Sequence, residues 1–333
     1  MIDWVSAIIT CNHDPEKLID GFVMSFDAEG QQQWVVNKTL SIEGSYSSKI
    51  QIKSLPENKI YITGNPTKFL QGHNLFGTND LRYLMNKFLK VLIDQNIGLR
   101  PDPFQLDDML NGNYELTRVD INETWHLQNR RDVLTWIRSL GETAYLKHRG
   151  AGQFSGDTTY FGKNSRRWSL KCYSKGSEIH AKGHQLPQEL RLPEMLEYAE
   201  KALRIEGVTR QLELKRRDLH IASHWDVDTA EELLLEYLSK LEMSDVFMLK
   251  DSVLDTLPPR LRLTYQAWLN GDDLKIVLPR PTFYRYRKQI LEYGVDISTK
   301  SPKEKNNVIP LIRVLEAKPV GIPNWAYEKN LVA

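Results

Sequence analysis

Trp168-Ser169-Leu170-Lys171-Cys172-Tyr173-Ser174-Lys175 alternates with a period of two. Trp168, Leu170 and Cys172 fall on one side; Ser169, Lys171, Tyr173 and Lys175 fall on the other. A strand sends successive side chains to opposite faces, so the stretch predicts a strand with an apolar face for a core and a polar face bearing a phenol and two ammonium groups. Two other segments read the same way. In Leu116-Thr117-Arg118-Val119-Asp120-Ile121-Asn122, the residues Leu116, Arg118, Asp120 and Asn122 share a face, and Val119 and Ile121 share the other. In Arg204-Ile205-Glu206-Gly207-Val208, Arg204 and Glu206 point together. Placed in one sheet, the three polar faces combine into a platform of two carboxylates, a tyrosine and several Arg and Lys side chains.

Working outward, Trp34-Val35-Val36, Gly44 to Ile52 and Lys59 to Thr63 read as further strands. An amphipathic helix follows, striped by Leu81, Leu84, Met85, Phe88, Leu89 and Leu92, with Thr78 or Asn79 as its cap. Asp132 to Leu140 and residues 193–203 are helical in pattern, and Thr158 to Phe161 adds a strand. From about residue 227 the chain is mainly helical. The expected class is α+β, with a β-rich core over 1–245 and a helical region over 246–333.

Within that region, residues 257–294 divide into three short helices. Leu261, Tyr265, Trp268 and Leu269 line the first. Asp272 would cap the second, with Leu274, Val277 and Leu278. The third carries Pro281 at its start and Gly294 past its end. Phe283, Tyr286, Ile290 and Leu291 form its stripe, leaving Arg280, Arg285 and Lys288 exposed. The pattern suits a helix-turn-helix whose last helix enters the major groove. It also suits an ordinary helical bundle with a solvated basic face. The basic run Lys215-Arg216-Arg217 with Arg210 has the same two readings, a phosphate grip or a solvated surface.

Composition narrows the classes. Of 333 residues 41% are apolar, enough for hydrophobic cores. The 44 Lys and Arg balance 43 Asp and Glu, so any nucleic-acid surface must arise from local segregation of charge. The two cysteines have no metal-ligand spacing, and no apolar run approaches the roughly 18 residues of a membrane span. Met1-Ile2-Asp3-Trp4 has neither a basic nor an apolar leader character, so no secretory signal is expected.

The platform suits phosphodiester transfer. A phenol with a pKa of about 10 is a weak nucleophile at neutral pH and needs activation or a more electrophilic target. A hard divalent cation, Mg²⁺ or Mn²⁺, prefers carboxylate ligands such as Asp120 and Glu206, and it polarises a phosphate. Lys175 and Arg204 could neutralise charge developing on that phosphate. Spacing alone leaves the plainer alternative open, a solvated Asp and a packing Tyr on a sheet surface.

Further blocks carry a resemblance. Asn65-Pro66-Thr67-Lys68-Phe69-Leu70-Gln71-Gly72-His73-Asn74-Leu75-Phe76-Gly77-Thr78-Asn79-Asp80-Leu81 is one. Leu116-Thr117-Arg118-Val119-Asp120, Tyr173-Ser174-Lys175 with Glu178, Leu203-Arg204-Ile205-Glu206 and Asn307 to Arg313 are others. In their order they resemble the gene-two replication initiators of filamentous bacteriophages and their plasmid relatives.

That resemblance implies an antiparallel nuclease core of rolling-circle-initiator type. Its activity would be to nick one strand of a double-stranded origin, leave a 3′-hydroxyl primer, and rejoin the displaced strand. The nucleophile falls on Tyr173, helped by Lys175 and Arg204. Mg²⁺ or Mn²⁺ falls to Asp120 and Glu206, with Glu178 a further candidate. DNA contact falls to His73, Asn74, Arg118, Lys171, Arg280, Arg285 and Lys288, although His73 could equally order its loop. The partners would be origin duplex, the nicked strand and host helicase and polymerase, in the bacterial cytoplasm and away from membranes. The His-hydrophobic-His pair of many plasmid initiators is absent, since His180 and His184 stand four apart. A shorter product starting at Met248 is also implied. Two other functions remain open: a non-catalytic origin-binding regulator, and a single-strand transposase or relaxase with the same tyrosine chemistry.

Overall fold

The computed structural model describes residues 1–147, 149–243, 257–293, 295–298, 314–315 and 317–332. Met248, Gly294 and the block from Asn307 to Arg313 lie outside the described residues.

The chain opens with five strands: β1 (Ile2–Thr10), β2 (Ile19–Phe26), β3 (Gln32–Glu43), β4 (Lys49–Leu55) and β5 (Lys59–Gly64). Three helices follow: α1 (Pro66–Gln71), α2 (Leu81–Asp94) and α3 (Pro103–Asn111). Then come β6 (Glu115–His126), α4 (Arg130–Thr143) and the short strands β7 (Ala144–Leu146), β8 (Gly150–Ala151) and β9 (Gln153–Ser155). The remainder of the core comprises β10 (Thr158–Phe161), β11 (Trp168–Ser174), α5 (Lys175–His180), α6 (Pro193–Lys201), β12 (Ala202–Arg210), α7 (Gln211–Arg216), α8 (Thr229–Ser239) and β13 (Leu241–Met243).

Ten strands join in one sheet, in the order β2-β3-β4-β5-β1-β6-β12-β11-β10-β9. Every neighbouring pair in it is antiparallel. The α+β expectation with a mainly antiparallel sheet holds. One face buries the apolar residues of β1, β6, β11 and β12 under the stripes of α2, α4 and α8, with Phe88, Trp136 and Tyr237 among the largest. The opposite face of β6, β12 and β11 is the polar platform. It is covered at one end by the loop after α1 and by α6, which share a second core of Leu75, Phe76, Met195 and Tyr198.

Local details depart from the sequence reading for identifiable reasons. Thr117 is an extra residue in β6, between Ala7↔Leu116 and Ser6↔Arg118. A bulge of this kind reverses the alternation, so Leu116 enters the core while Arg118, Asp120 and Asn122 keep the polar face. Ser45–Ser47 forms a 3-10 turn instead of continuing a strand. Asp80, not Thr78 or Asn79, caps α2, because the Thr78 hydroxyl is already accepting from the Asp80 amide. The strand at Tyr173 stops at Ser174, whose hydroxyl caps α5 by accepting from Ser177 N. Lys175 is therefore the first residue of a helix.

Three helices stand toward the C-terminus: α9 (Pro259–Leu269), α10 (Leu274–Val277), which is capped by Asp273 and not Asp272, and α11 (Arg280–Leu291). They share a core of their own, including Leu261, Tyr265, Trp268, Leu274, Phe283 and Ile290. Leu291, expected in that stripe, is half exposed. The last segment, with α12 (Asn324–Glu328), does not stay with them. Val320 N bonds Thr124 O at 2.7 Å, Trp125 Nε1 donates to Ala317 O at 2.9 Å, and Ala326 and Leu331 join the core under α6. The end of the expected helical region thus packs on the sheet.

Candidate functional site

Continuous pairing of β6 with β12, and of β12 with β11, sets the platform in rows. Tyr173, Arg204 and Thr124 form one row. Lys171, Glu206 and Asn122 form the next, and Ser169, Val208 and Asp120 the third. Directly opposed side chains on an antiparallel pair lie about 5 Å apart at Cβ. The three strands read from the sequence are adjacent, and their polar faces coincide.

Each charge on the platform has a partner. Arg118 grips Asp120 with two parallel bonds, Nε to Oδ1 at 2.8 Å and Nη2 to Oδ2 at 2.5 Å. Burial nonetheless pushes the Asp120 carboxyl up to about 7; Arg118 opposes the shift and the nearby Glu206 adds to it. Burial likewise raises Glu206, against Lys171 at 3.4 Å. The Lys171 ammonium also sits over the Tyr173 ring, 4.1 Å from its centroid. Tyr173 is almost fully buried. Burial, then the charges of Glu178 and Glu206, holds its phenol well above the usual range, with Arg204 opposing. Lys175 is buried and donates to Asn74 Oδ1 at 2.7 Å and to Glu178 Oε2 at 2.6 Å. Burial works to raise Glu178, but Lys175 overcomes it and holds that carboxyl down at about 2.

Two of the expected site residues have their donors engaged within the fold. Arg204 has no exposed surface, and its guanidinium donates to the carbonyls of Asn74 and Leu75 and to Thr124 Oγ1. Its donors clamp the loop after α1 and are not turned toward a phosphate. His73, expected to contact DNA, is also buried: Nε2 donates to Leu331 O at 2.9 Å, while Nδ1 accepts from Leu75 N at 3.3 Å. Burial holds its imidazole down at about 4. It orders the loop, the other reading of this residue. Asn74 spends its amide on Asp3 and its carbonyl on Lys175.

Sequence reasoning missed Asp3. A register shift between Ile2 and Trp4 brings it beside β6. Its Oδ1 accepts from Asn65 Nδ2 at 2.5 Å and Asn74 Nδ2 at 2.9 Å, and its charge acts on Asp120, Glu206 and Tyr173. Asn122 was placed on the correct face but given no role. It is fully buried, and among the described residues both polar atoms of its amide lack a hydrogen-bond partner.

Among the described residues no three His, Cys, Asp or Glu side chains form a ready ligand set. The platform still fits a hard divalent cation. Asp120 and Glu206 are buried carboxylates in adjacent rows of one sheet face, and the orphaned amide of Asn122 stands opposite Glu206 and two residues from Asp120.

Away from the platform, Arg280, Arg285 and Lys288 are exposed on α11 with Tyr284 beside them, while Arg287 is held by Asp296. The basic run after β12 is largely neutralised: Lys215 pairs with Glu115, Arg216 with Glu213, and Arg217 with both Glu213 and Glu236. No described helix is long and apolar enough to cross a membrane.

Residues 1–228 match the N-terminal family of the phage gene-two replication-associated protein, and residues 249–332 match its C-terminal counterpart. The chain is 38% identical over 347 aligned residues to the gene-two replication-associated protein of Enterobacteria phage I2-2, covering 100% of this chain and 99% of that one. It is 24% identical to the protein of the same name from Enterobacteria phage M13, over 77% of this chain and 74% of the other. A solved rolling circle replication initiator protein from Geobacillus stearothermophilus aligns over 75% of this chain and 88% of its own, at 10% identity and a TM-score of 0.33.

Proposed function

From the premise that the chain belongs to the gene-two replication-associated protein family, we propose that it initiates rolling-circle replication by nicking one strand of a double-stranded origin through Tyr173. The observation that carries this reading is the pair of adjacent rows Tyr173–Arg204–Thr124 and Lys171–Glu206–Asn122. With Asp120 in the third row, they gather a phenol, two carboxylates and an ammonium on one sheet face.

The Tyr173 oxygen attacks the scissile phosphorus, the bond from phosphorus to the 3′ oxygen breaks, and the 5′ phosphate is left on the tyrosine. The phenol gives its proton to water as the new bond forms, and the departing 3′ oxygen takes a proton from water to become the primer hydroxyl. Because burial and two carboxylates keep the phenol protonated, attack requires that negative charge around it be offset. Lys171, against both the Tyr173 ring and Glu206, would do this beside Arg204, whose charge already opposes the shift. Asp120 and Glu206 would hold Mg²⁺ or Mn²⁺, which supplies polarisation of the phosphate when bound. Arg118 and Lys171, platform cations with exposed surface, would meet the strand's phosphates. The face of α11 with Arg280, Arg285 and Lys288 would read or grip the duplex. Reversal of the transfer would close the displaced strand, with host helicase and polymerase acting between the two steps.

The test uses supercoiled DNA bearing the cognate origin, with Mg²⁺, and compares wild type with Tyr173→Phe. The variant should bind the duplex and form no nicked circles. Equal nicking by both proteins overturns the assignment. Cleavage of single strands alone, without preference for the origin, would favour a strand transferase instead.

A further inference from the structure

Asn122 is the most anomalous polar group on the platform. Its side chain has no exposed surface, and neither Oδ1 nor Nδ2 has a hydrogen-bond partner among the described residues. A buried amide left unpaired in this way is costly, and buried polar side chains in native proteins are seldom so. Its position is also unusual. It stands directly across from Glu206, two residues along the same face from Asp120, and beside the bulge that brings in Asp3. Two carboxylates, Glu206 and Asp120, therefore adjoin one neutral amide in register, yet the amide bonds to neither.

Resting on the metal reading above, we propose that Asn122 is a third oxygen ligand of the divalent cation, joining Asp120 and Glu206 through Oδ1. Side-chain carbonyl oxygens are ordinary ligands of hard cations, and a neutral third ligand avoids adding charge to a site already holding buried carboxylates. The vacant Oδ1 is then a coordination position. Mg²⁺ keeps several of its waters, so three protein oxygens are enough to hold it. A purely structural asparagine at this position would instead be tied into the backbone or its neighbours, as Asn65 and Asn74 are through Asp3.

The experiment measures Mn²⁺ binding to the full chain without DNA, by loss of the free-ion paramagnetic resonance signal, for wild type, Asn122→Ala, Asn122→Asp and Asp120→Asn. Thermal melting with and without Mn²⁺ is recorded in parallel. Asn122→Ala is expected to weaken Mn²⁺ binding at least 10-fold and to lose the metal-induced rise in melting temperature. Its melting temperature without metal should be equal to or above that of wild type, because an unsatisfied amide has been removed. Asn122→Asp, which keeps the oxygen, should bind Mn²⁺ at least as well as wild type. Wild-type affinity in Asn122→Ala, with binding lost in Asp120→Asn, overturns the role of Asn122 and leaves the metal reading standing. A metal-free melting temperature lowered in both Asn122 variants, with Mn²⁺ affinity intact, shows a structural asparagine and also overturns it. Unchanged binding in Asp120→Asn removes the metal reading itself.

Discussion

Arg204 separates two accounts of the platform. If it clamps the loop after α1, replacing it by Met should be felt first in stability. The Asn74 and Leu75 carbonyls would lose their donors inside the protein. An orphaned buried acceptor costs about 1–3 kcal/mol, so the two together cost roughly 2–6 kcal/mol. Relief from keeping a guanidinium out of water offsets part of this, and a net loss of about 3 kcal/mol is expected, within the range for breaking a buried charged interaction. At about 2–4 °C per kcal/mol in a large domain, melting should fall by roughly 6–12 °C. Hydrogen exchange at residues 73–77 should accelerate, because Arg204 and Gln71 hold that loop by its carbonyls. Arg204→Lys should fall between the two, since an ammonium lacks the planar fork that reaches both oxygens. Melting within about 2 °C of wild type, unchanged exchange in the loop and abolished nicking would refute the clamp and restore Arg204 as a phosphate contact.

The remaining predictions concern pH and the duplex surface. His73 is held neutral with its pKa near 4, whereas the unfolded chain takes up a proton at about 6.5. The stability this difference supplies is present above pH 6.5 and is lost as pH falls toward 4, by about 3 kcal/mol in all. Denaturant titrations across that window should show the decline in wild type and a flatter profile in His73→Gln; equal slopes would count against the buried neutral imidazole. On α11, Arg285→Ala and Lys288→Ala should each lower the slope of log affinity for duplex against log salt by about 1, with melting unchanged. If neither substitution alters the slope, that helix face does not hold phosphates.

What could be read from the sequence, and what could not, follows from where the partners come from. Tyr173, Lys171 and Glu206 were legible because β11, β12 and β6 pair without interruption across the platform, so simple alternation gives the correct face. Leu116 was misplaced because one inserted residue, Thr117, reverses that alternation. Asp3 was invisible because its place depends on a register shift and on amides from Asn65 and Asn74, more than 60 positions away. The larger error concerned exposure. Arg204 and His73 are polar, and polar residues are mostly found facing water. Here loop carbonyls 129 and 130 positions from Arg204, and the Leu331 carbonyl 258 positions from His73, satisfy their donors well enough to bury them. Sequence alternation thus identifies which groups share the platform, and the covering loop and tail decide whose donors are spent on the cover. On that criterion the donors of Arg204 and His73 are committed to the cover, whereas Arg118 and Lys171 are the ones the proposal gives to the strand.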